Sequence, residues 1–379
     1  MTFILGTGHY TSIAKTPFDS QAENSAPPPA TSFAARNRVD LRVATLGDAD
    51  FSRWNEFVFA CPDASFFHRA EWRSIIENIF GWRTHFLYAE NAGGLQGVLP
   101  LAEVKGRLIG HALISLPYCV QAGIAAANQP ARDALDAAAQ NLALALDVDY
   151  LEYRTPCRAH ADWACDESYV LFKAELSAAA AYNFSAIPGK RRAMVRKAQR
   201  AGLRCAIEDD VEHFLRAYAE AMRKLGSPVY PRRYFTELRT AFGSDCEVMT
   251  ITQDGRTIAA AMSFLFRGET MPYYAGGTEQ ARAVAGNDFL YWELLGRAAQ
   301  RGLHTFNAGR SRLGGGSSGF KKLWGFKPEP LHYEYRVLRG RTPINDPDDP
   351  RYRLFTALWR RLPLALANKL GPSLSRNIC

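Results

Sequence analysis

Between Phe306 and Phe326 the chain gathers residue types that can stabilise negative charge: Arg310, Arg312, Lys321 and Lys322 stand among Gly309, Gly314, Gly315, Gly316 and Gly319. Glycine leaves backbone N–H groups accessible and lets a ligand approach them closely. Cations beside exposed donors suit an anion, whether it arrives as one or develops in a transition state. The glycine density predicts a loop after a short strand over 304–307, and then a short helix over 320–324. A flexible linker would explain Gly314, Gly315 and Gly316 alone. It does not explain Trp324 and Phe326 around Gly325, because disordered segments are poor in bulky apolar residues.

The order Gly316-x-x-x-Phe320-Lys321-x-x-Trp324-Gly325-Phe326 resembles the C-terminal signature of the FemAB-like transferases, which are built from GNAT-type acyltransferase domains. Asn307 to Ser311 and Leu331 to Tyr335 extend the similarity toward the FemAB-related proteins associated with PEP-CTERM/exosortase systems. The resemblance runs over residues 40–375. It implies an α/β (α+β) fold of two tandem GNAT-like domains, with mixed, mostly antiparallel sheets flanked by helices. It also implies transfer of an acyl or aminoacyl group to an amine or hydroxyl of a cell-envelope or exopolysaccharide precursor. The donor would be anionic, either aminoacyl-tRNA or acyl-CoA, with no resident cofactor. The acceptor would be a sugar- or peptide-linked precursor.

Acyl transfer turns the attacked carbonyl into an oxyanion, which a fixed ammonium and backbone N–H groups stabilise. Lys321 is assigned that role, with Arg310 and the 314–316 backbone beside it; the family likeness favours Lys321 over Lys322. Glu293 and Glu152 are the candidate general bases, should the acceptor need one.

The substrate-binding candidates fall on several stretches. His68 and Trp72 belong to an aromatic run, in which Trp72 reads more readily as core. Tyr118 lies in a Ser-Leu-Pro-Tyr loop whose relatives stand near the acceptor. Arg192, Arg196 and Arg200 recur every four residues on a helix between Pro188 and Gly202, with no acidic residue from Lys190 to Arg204. Helical faces that are merely solvated tend to mix signs, so this stripe is expected to meet an anion. Tyr230 lies within a proline-stiffened turn, Pro228 to Pro231, and Arg232 follows it. Asn287, expected as a helix N-cap, joins Tyr291 and Phe320 to complete the set.

The elements that must carry these residues divide the chain into a disordered extension over 1–38, a first GNAT-like domain over 39–165 on the acceptor side, and a second over 166–340 with the Gly-rich Phe-Lys motif. Residues 341–379 form a linker and amphipathic helices broken at Pro363. These are expected to pack back on the first domain in preference to lying on an anionic membrane surface. Glu152 and Arg154 sit at period two on a strand and share a face, most simply as an ion pair. Strands over 247–252, 257–266 and 270–275, a helix over 288–301 and a strand over 304–307 follow the order of a GNAT core.

The 379 residues suffice for two ordinary domains, and 47% hydrophobic with 22% charged residues is the composition of a globular protein. A net charge of +8 favours an anionic partner. Seven scattered cysteines without a Cys-x-x-Cys pair argue against a disulfide framework and a zinc cluster, so no metal is expected. A reducing cytoplasm fits, with the C-terminal helix able to touch the inner membrane. The strand-to-helix turn that holds acetyl-CoA in many GNAT domains is not recognisable between Ala275 and Trp292, which weakens acetyl-CoA as the donor, and the family resemblance implies that aminoacyl-tRNA is the common one. Two rivals remain: an acyl-CoA-dependent GNAT N-acetyltransferase, and a non-catalytic nucleic-acid binder using the arginine stripe.

Overall fold

The computed structural model describes residues 40–106, 110–340 and 350–376. The extension expected over 1–38 and nearly all of the linker expected over 341–350 lie outside them. The first half runs β1 (Arg42–Thr45), α1 (Phe51–Ala60), α2 (Trp72–Ile75), β2 (Arg83–Asn91), β3 (Gly94–Gly106), β4 (Gly110–Ile114), β5 (Ala125–Ala126), α3 (Gln129–Ala145), β6 (Tyr150–Thr155) and β7 (Ala164–Asp166). The second runs β8 (Tyr169–Glu175), α4 (Ala180–Ala186), α5 (Gly189–Arg200), β9 (Arg204–Glu208), α6 (Glu212–Leu225), α7 (Arg232–Phe242), β10 (Cys246–Gln253), β11 (Arg256–Phe266), β12 (Glu269–Gly277), α8 (Glu279–Ala283), α9 (Gly286–Gln300), β13 (Thr305–Arg312), α10 (Gly316–Leu323) and β14 (Lys327–Pro330). Last come β15 (His332–Val337), α11 (Pro350–Arg361) and α12 (Leu364–Ser375).

One sheet has the order β1-β2-β3-β4-β6-β15-β7, with β5 on β3; the other has the order β14-β8-β13-β12-β11-β10-β9. Each contains one parallel pair, β4 with β6 and β12 with β13. The crossovers over α3 and α9 make those pairs parallel, since a hairpin cannot. The parallel pairing is short in both cases, after which the two strands part and form a fork.

The sheets share a core. Trp54, Trp72 and Phe66 from the first half pack in one cluster with Phe214, Tyr234 and Phe264 from the second, and Phe66 stacks on Phe264 with ring centroids 4.5 Å apart. A second cluster lies under α5, α9 and α10, built from Val195, Leu290, Leu294, Phe306, Trp324 and Phe326.

Two features depart from the sequence reading. The strand expected to finish the second domain, β15, pairs instead with β6 and β7 in the first sheet. An alternating apolar pattern makes a strand but does not choose its sheet. The C-terminal helices pack mainly on α6 of the second half. Arg223 donates to the Arg360 carbonyl at 2.8 Å, and a Cβ on Gly226 would meet Thr356 of α11 at 2.3 Å. Contact with the first half comes where the chain leaves α12, where Tyr118 Oη donates to the Arg376 carbonyl at 3.0 Å.

Candidate active site

β13 and α10 form the site. β13 runs on to Arg312 and α10 starts at Gly316, so the segment read as loop is strand and helix on either side of a three-residue turn. Pairing to neighbours overrides the weak strand propensity of glycine. In β13 the register against β8 slips between Asn307 and Gly309, a bulge that leaves Ala308 over. The buried Asn307 side chain holds it: Oδ1 accepts from Gly309 N–H at 2.9 Å, and Nδ2 donates to Glu269 at 2.8 Å. Gly309 takes φ +79°, a conformation that favours glycine.

Lys321 reaches back to this bulge. Its Nζ donates to the Gly309 carbonyl at 2.9 Å and the Arg310 carbonyl at 3.1 Å. The residue is only 5% exposed, and the ammonium lies over the Phe172 ring. Burial, and secondarily the charge of Arg310, push its pKa down from 10.5 to about 7. An ammonium has three donors; two go to carbonyls, and the third has no hydrogen-bond partner among the described residues. The position is the mouth of the second fork: β12 and β13 pair only at Glu269/Thr305 and Thr270/Phe306. A Cβ on Gly309 would lie 3.8 Å from Lys321 Nζ and 4.0 Å from the Pro272 carbonyl of β12.

Arg310 is exposed yet hemmed in by side chains. Its guanidinium lies 4.6 Å from the Tyr169 ring centroid and donates to Tyr333 Oη at 2.8 Å. The opposite wall is the 115–123 loop of the first half. Tyr333 Oη donates to the Val120 carbonyl at 3.1 Å, and Tyr273 Oη to the Tyr118 carbonyl at 2.7 Å. Leu116 and Tyr118 both adopt positive φ, 56° and 64°, strain of the kind that collects at functional sites. Behind this loop, Arg154 pairs with Glu152 at 2.6 Å and donates to the Cys119 carbonyl at 2.8 Å, so Glu152 is engaged and unsuited as a base.

The structure therefore unites Lys321, Arg310, Tyr169, Tyr273, Tyr333 and the 115–123 loop. It sends several candidates elsewhere. His68 is buried: Nδ1 accepts from Ser65 N–H at 2.9 Å and Nε2–H donates to the Gly123 carbonyl at 2.7 Å. Burial holds it neutral, with its pKa lowered to about 4. It ties the aromatic run to the site loop and cannot contact substrate. Trp72 is fully buried core. Tyr118 offers the site its carbonyl, since its hydroxyl is bonded to Trp82 and Arg376. Tyr230 packs on Tyr118, Tyr234 and Tyr274 in the aromatic cluster between the sheets. Arg232 is exposed and paired with Glu212 on the outer surface.

On the second half, Arg191 rather than Arg192 turns toward the motif helix. It pairs with Asp288 at 2.9 Å and lies 6.0 Å from the Phe320 ring centroid. Arg196 lies over the Phe184 ring, and Arg192 is half-buried on the same helix. Tyr291 and Phe320 pack on each other at 5.1 Å beneath α10. Asn287 is not the N-cap: Ala285, in the left-handed region, precedes Gly286 as the first helical residue, and Asn287 lies against Gly277. Burial raises the Glu293 carboxyl, but its charge acts on Cys205 of β9, at the far edge of the sheet from Lys321.

Tyr169, Tyr273 and Asn307 escaped the sequence reading as site residues. Asn307 and Tyr333 could have been found, because both lie in stretches that carry the family likeness. The cysteine spacing also hid one grouping: Cys165, Glu167 and His332 lie within 4.8 Å of one another, with His332 Nδ1 at 3.2 Å from Glu167.

Residues 189–322 match the family model described as an acetyltransferase (GNAT) domain. No curated protein sequence is similar enough to match. Among solved structures, the crystal structure of FemX superposes with a TM-score of 0.63 at 13% identity, over 83% of this chain and 100% of that one. L-PGS from Bacillus licheniformis gives 0.53 at 12% identity, over 84% and 98%. A tandem GNAT protein from the clavulanic acid biosynthesis pathway gives 0.50 at 12%, over 80% and 100%. With the two forked mixed sheets, these likenesses identify an α/β fold of the GNAT type, the match to the GNAT acetyltransferase model falling within its second half.

Proposed function

We propose that this chain is an acyltransferase of the FemAB-like kind, moving an aminoacyl or acyl group onto an amine or hydroxyl of a cell-envelope or exopolysaccharide precursor. The observation that carries this reading is the buried Lys321 ammonium at the mouth of the β12/β13 fork, with two donors fixed on carbonyls and no third hydrogen-bond partner among the described residues. The acceptor nucleophile attacks the donor carbonyl, the new oxyanion takes the remaining Lys321 N–H, and collapse of the adduct expels the donor's leaving group with a proton. One such donor contributes on the order of 3 kcal/mol. Arg310 lies beside this point and adds positive charge. Glu152 and Glu293 are no longer favoured as bases, so an amine acceptor would enter neutral.

Aminoacyl-tRNA is the favoured donor. At the start of α9, where a GNAT domain would receive a CoA pyrophosphate, stands the carboxylate of Asp288, held by Arg191. A carboxylate there already uses the positive end of the helix dipole. α5 meanwhile exposes Lys190, Arg196, Lys197 and Arg200, which suits a polyphosphate backbone. The PEP-CTERM/exosortase setting follows from the motif resemblance. Mass spectrometry of surface glycans from a deletion strain tests the whole reading. A missing acyl or aminoacyl mass names donor and acceptor together, whereas glycans unchanged in mass would sink it.

A further inference from the structure

Six of the thirteen exposed large apolar side chains among the described residues lie on the last two helices: Leu354, Leu358, Leu364, Leu366, Leu370 and Leu374, each 36–61% exposed. Singly exposed leucines are ordinary, but such concentration in a short stretch is not. On α12 two stripes run side by side. Ala367, Gly371 and Ser375 recur every four residues and are buried; Leu366, Leu370 and Leu374 recur in the same way one position earlier and are open. On α11, Trp359 is buried while Leu354 and Leu358, one turn apart, are open. Packing and an exposed apolar face therefore coexist on these helices.

Within the two helices themselves the charge has one sign, although Asp346, Asp348 and Asp349 stand just before α11 in the sequence. From Pro350 to Cys379 the sequence holds Arg351, Arg353, Arg360, Arg361, Lys369 and Arg376 and no Asp or Glu. Arg353, Arg360, Arg361, Lys369 and Arg376 are exposed. Exposed leucines interleaved with cations that form no ion pair among the described residues match the boundary between acyl chains and anionic headgroups. No helix among the described residues is long and apolar enough to cross a membrane.

We infer that α11 and α12 form a docking surface for an anionic lipid bilayer. The chain lies on the membrane through its leucines, with the cations at headgroup level. The surface adjoins the site: Arg376, just past α12, bonds through its carbonyl to Tyr118 Oη, and the Tyr118 carbonyl accepts from Tyr273 of β12. Docking would thus bring the candidate site close to an acceptor carried in the bilayer.

Co-sedimentation of the full chain with vesicles, either pure phosphatidylcholine or phosphatidylcholine with one-third phosphatidylglycerol, tests the proposal without any turnover. Binding is expected to the anionic vesicles alone and to fall steeply in high salt. Leu354→Ser/Leu358→Ser and, separately, Arg361→Glu/Lys369→Glu should each weaken it about tenfold or more. Unchanged circular dichroism and thermal midpoint would show that the variants stay folded. Equal binding to both vesicle types, or none to either, overturns the proposal. So does a concentration-dependent dimer that the leucine variants abolish, since the face would then belong to a second copy of the chain.

Discussion

The two forks of this molecule have the same topology and opposite chemistry. In the first, β4 and β6 run parallel through Ala112/Tyr150, Leu113/Leu151 and Ile114/Glu152 and then part. The chain closes that opening with itself. Ser115 N–H donates to the Glu152 carbonyl, and Ala122 and Gly123 donate to the Arg154 carbonyl. The cation inside, Arg154, is neutralised by Glu152 at 2.6 Å. In the second fork the cations Lys321 and Arg310 face carbonyls, a phenol and aromatic rings, and no carboxylate pairs with either among the described residues. A buried charge without a partner of opposite sign is costly. The first fork avoids that cost and serves as a wall; the second bears it, as a site awaiting negative charge would.

The comparison breaks most sharply at Arg154. Arg154→Met leaves the buried Glu152 carboxylate uncompensated and should cost about 3–5 kcal/mol in denaturant unfolding. A loss below about 1 kcal/mol would remove the structural role assigned to the first fork. Lys321→Met should do the reverse. Stability stays level or rises, while single-turnover acyl transfer falls about 10²-fold or more; full turnover in a folded variant would refute the oxyanion role. Titration sharpens the point. With the folded pKa near 7 against 10.5 for an ordinary lysine, the unfolded chain binds the extra proton between those values. The penalty is whole below about pH 7 and is relieved as pH rises toward 10.5, so stability climbs across that window. Lys321→Met should flatten this slope. Turnover that depends on the ammonium should instead decline as pH rises through about 7 in the free enzyme.

Much of this was legible beforehand because it rests on local chemistry. The strands and helices of the second half follow from periodicity, and Lys321 follows from its motif. The Glu152/Arg154 pair was readable from period two on one strand. What the sequence concealed was relational. Nothing in residues 332–337 says that β15 crosses to the first sheet, and that crossing is what brings Tyr333 to Arg310. His68 reads as a substrate-binding candidate, because its two backbone partners, Ser65 and Gly123, lie on segments that meet only in the fold. The glycines misled in another way. Their number suggested a loop, whereas Gly309 serves a bulge within a strand and Gly315 caps a helix.

That bulge supplies the finest test of the difference between the forks. Gly309→Ala forces a Cβ onto φ +79° and sets it near Lys321 Nζ. Left-handed backbone costs an ordinary residue about 1–2 kcal/mol. The strain can be relieved by flattening the bulge, which would turn the Gly309 and Arg310 carbonyls away from the ammonium. Lys321 would then lose its two acceptors while keeping its burial. Turnover should fall even though every cation is retained, and the pH above which it declines should move below about 7, since the charged form has lost its hydrogen bonds. Turnover and pH profile both unchanged would mean that the carbonyls are incidental, and that position in the fork is enough for the ammonium to work.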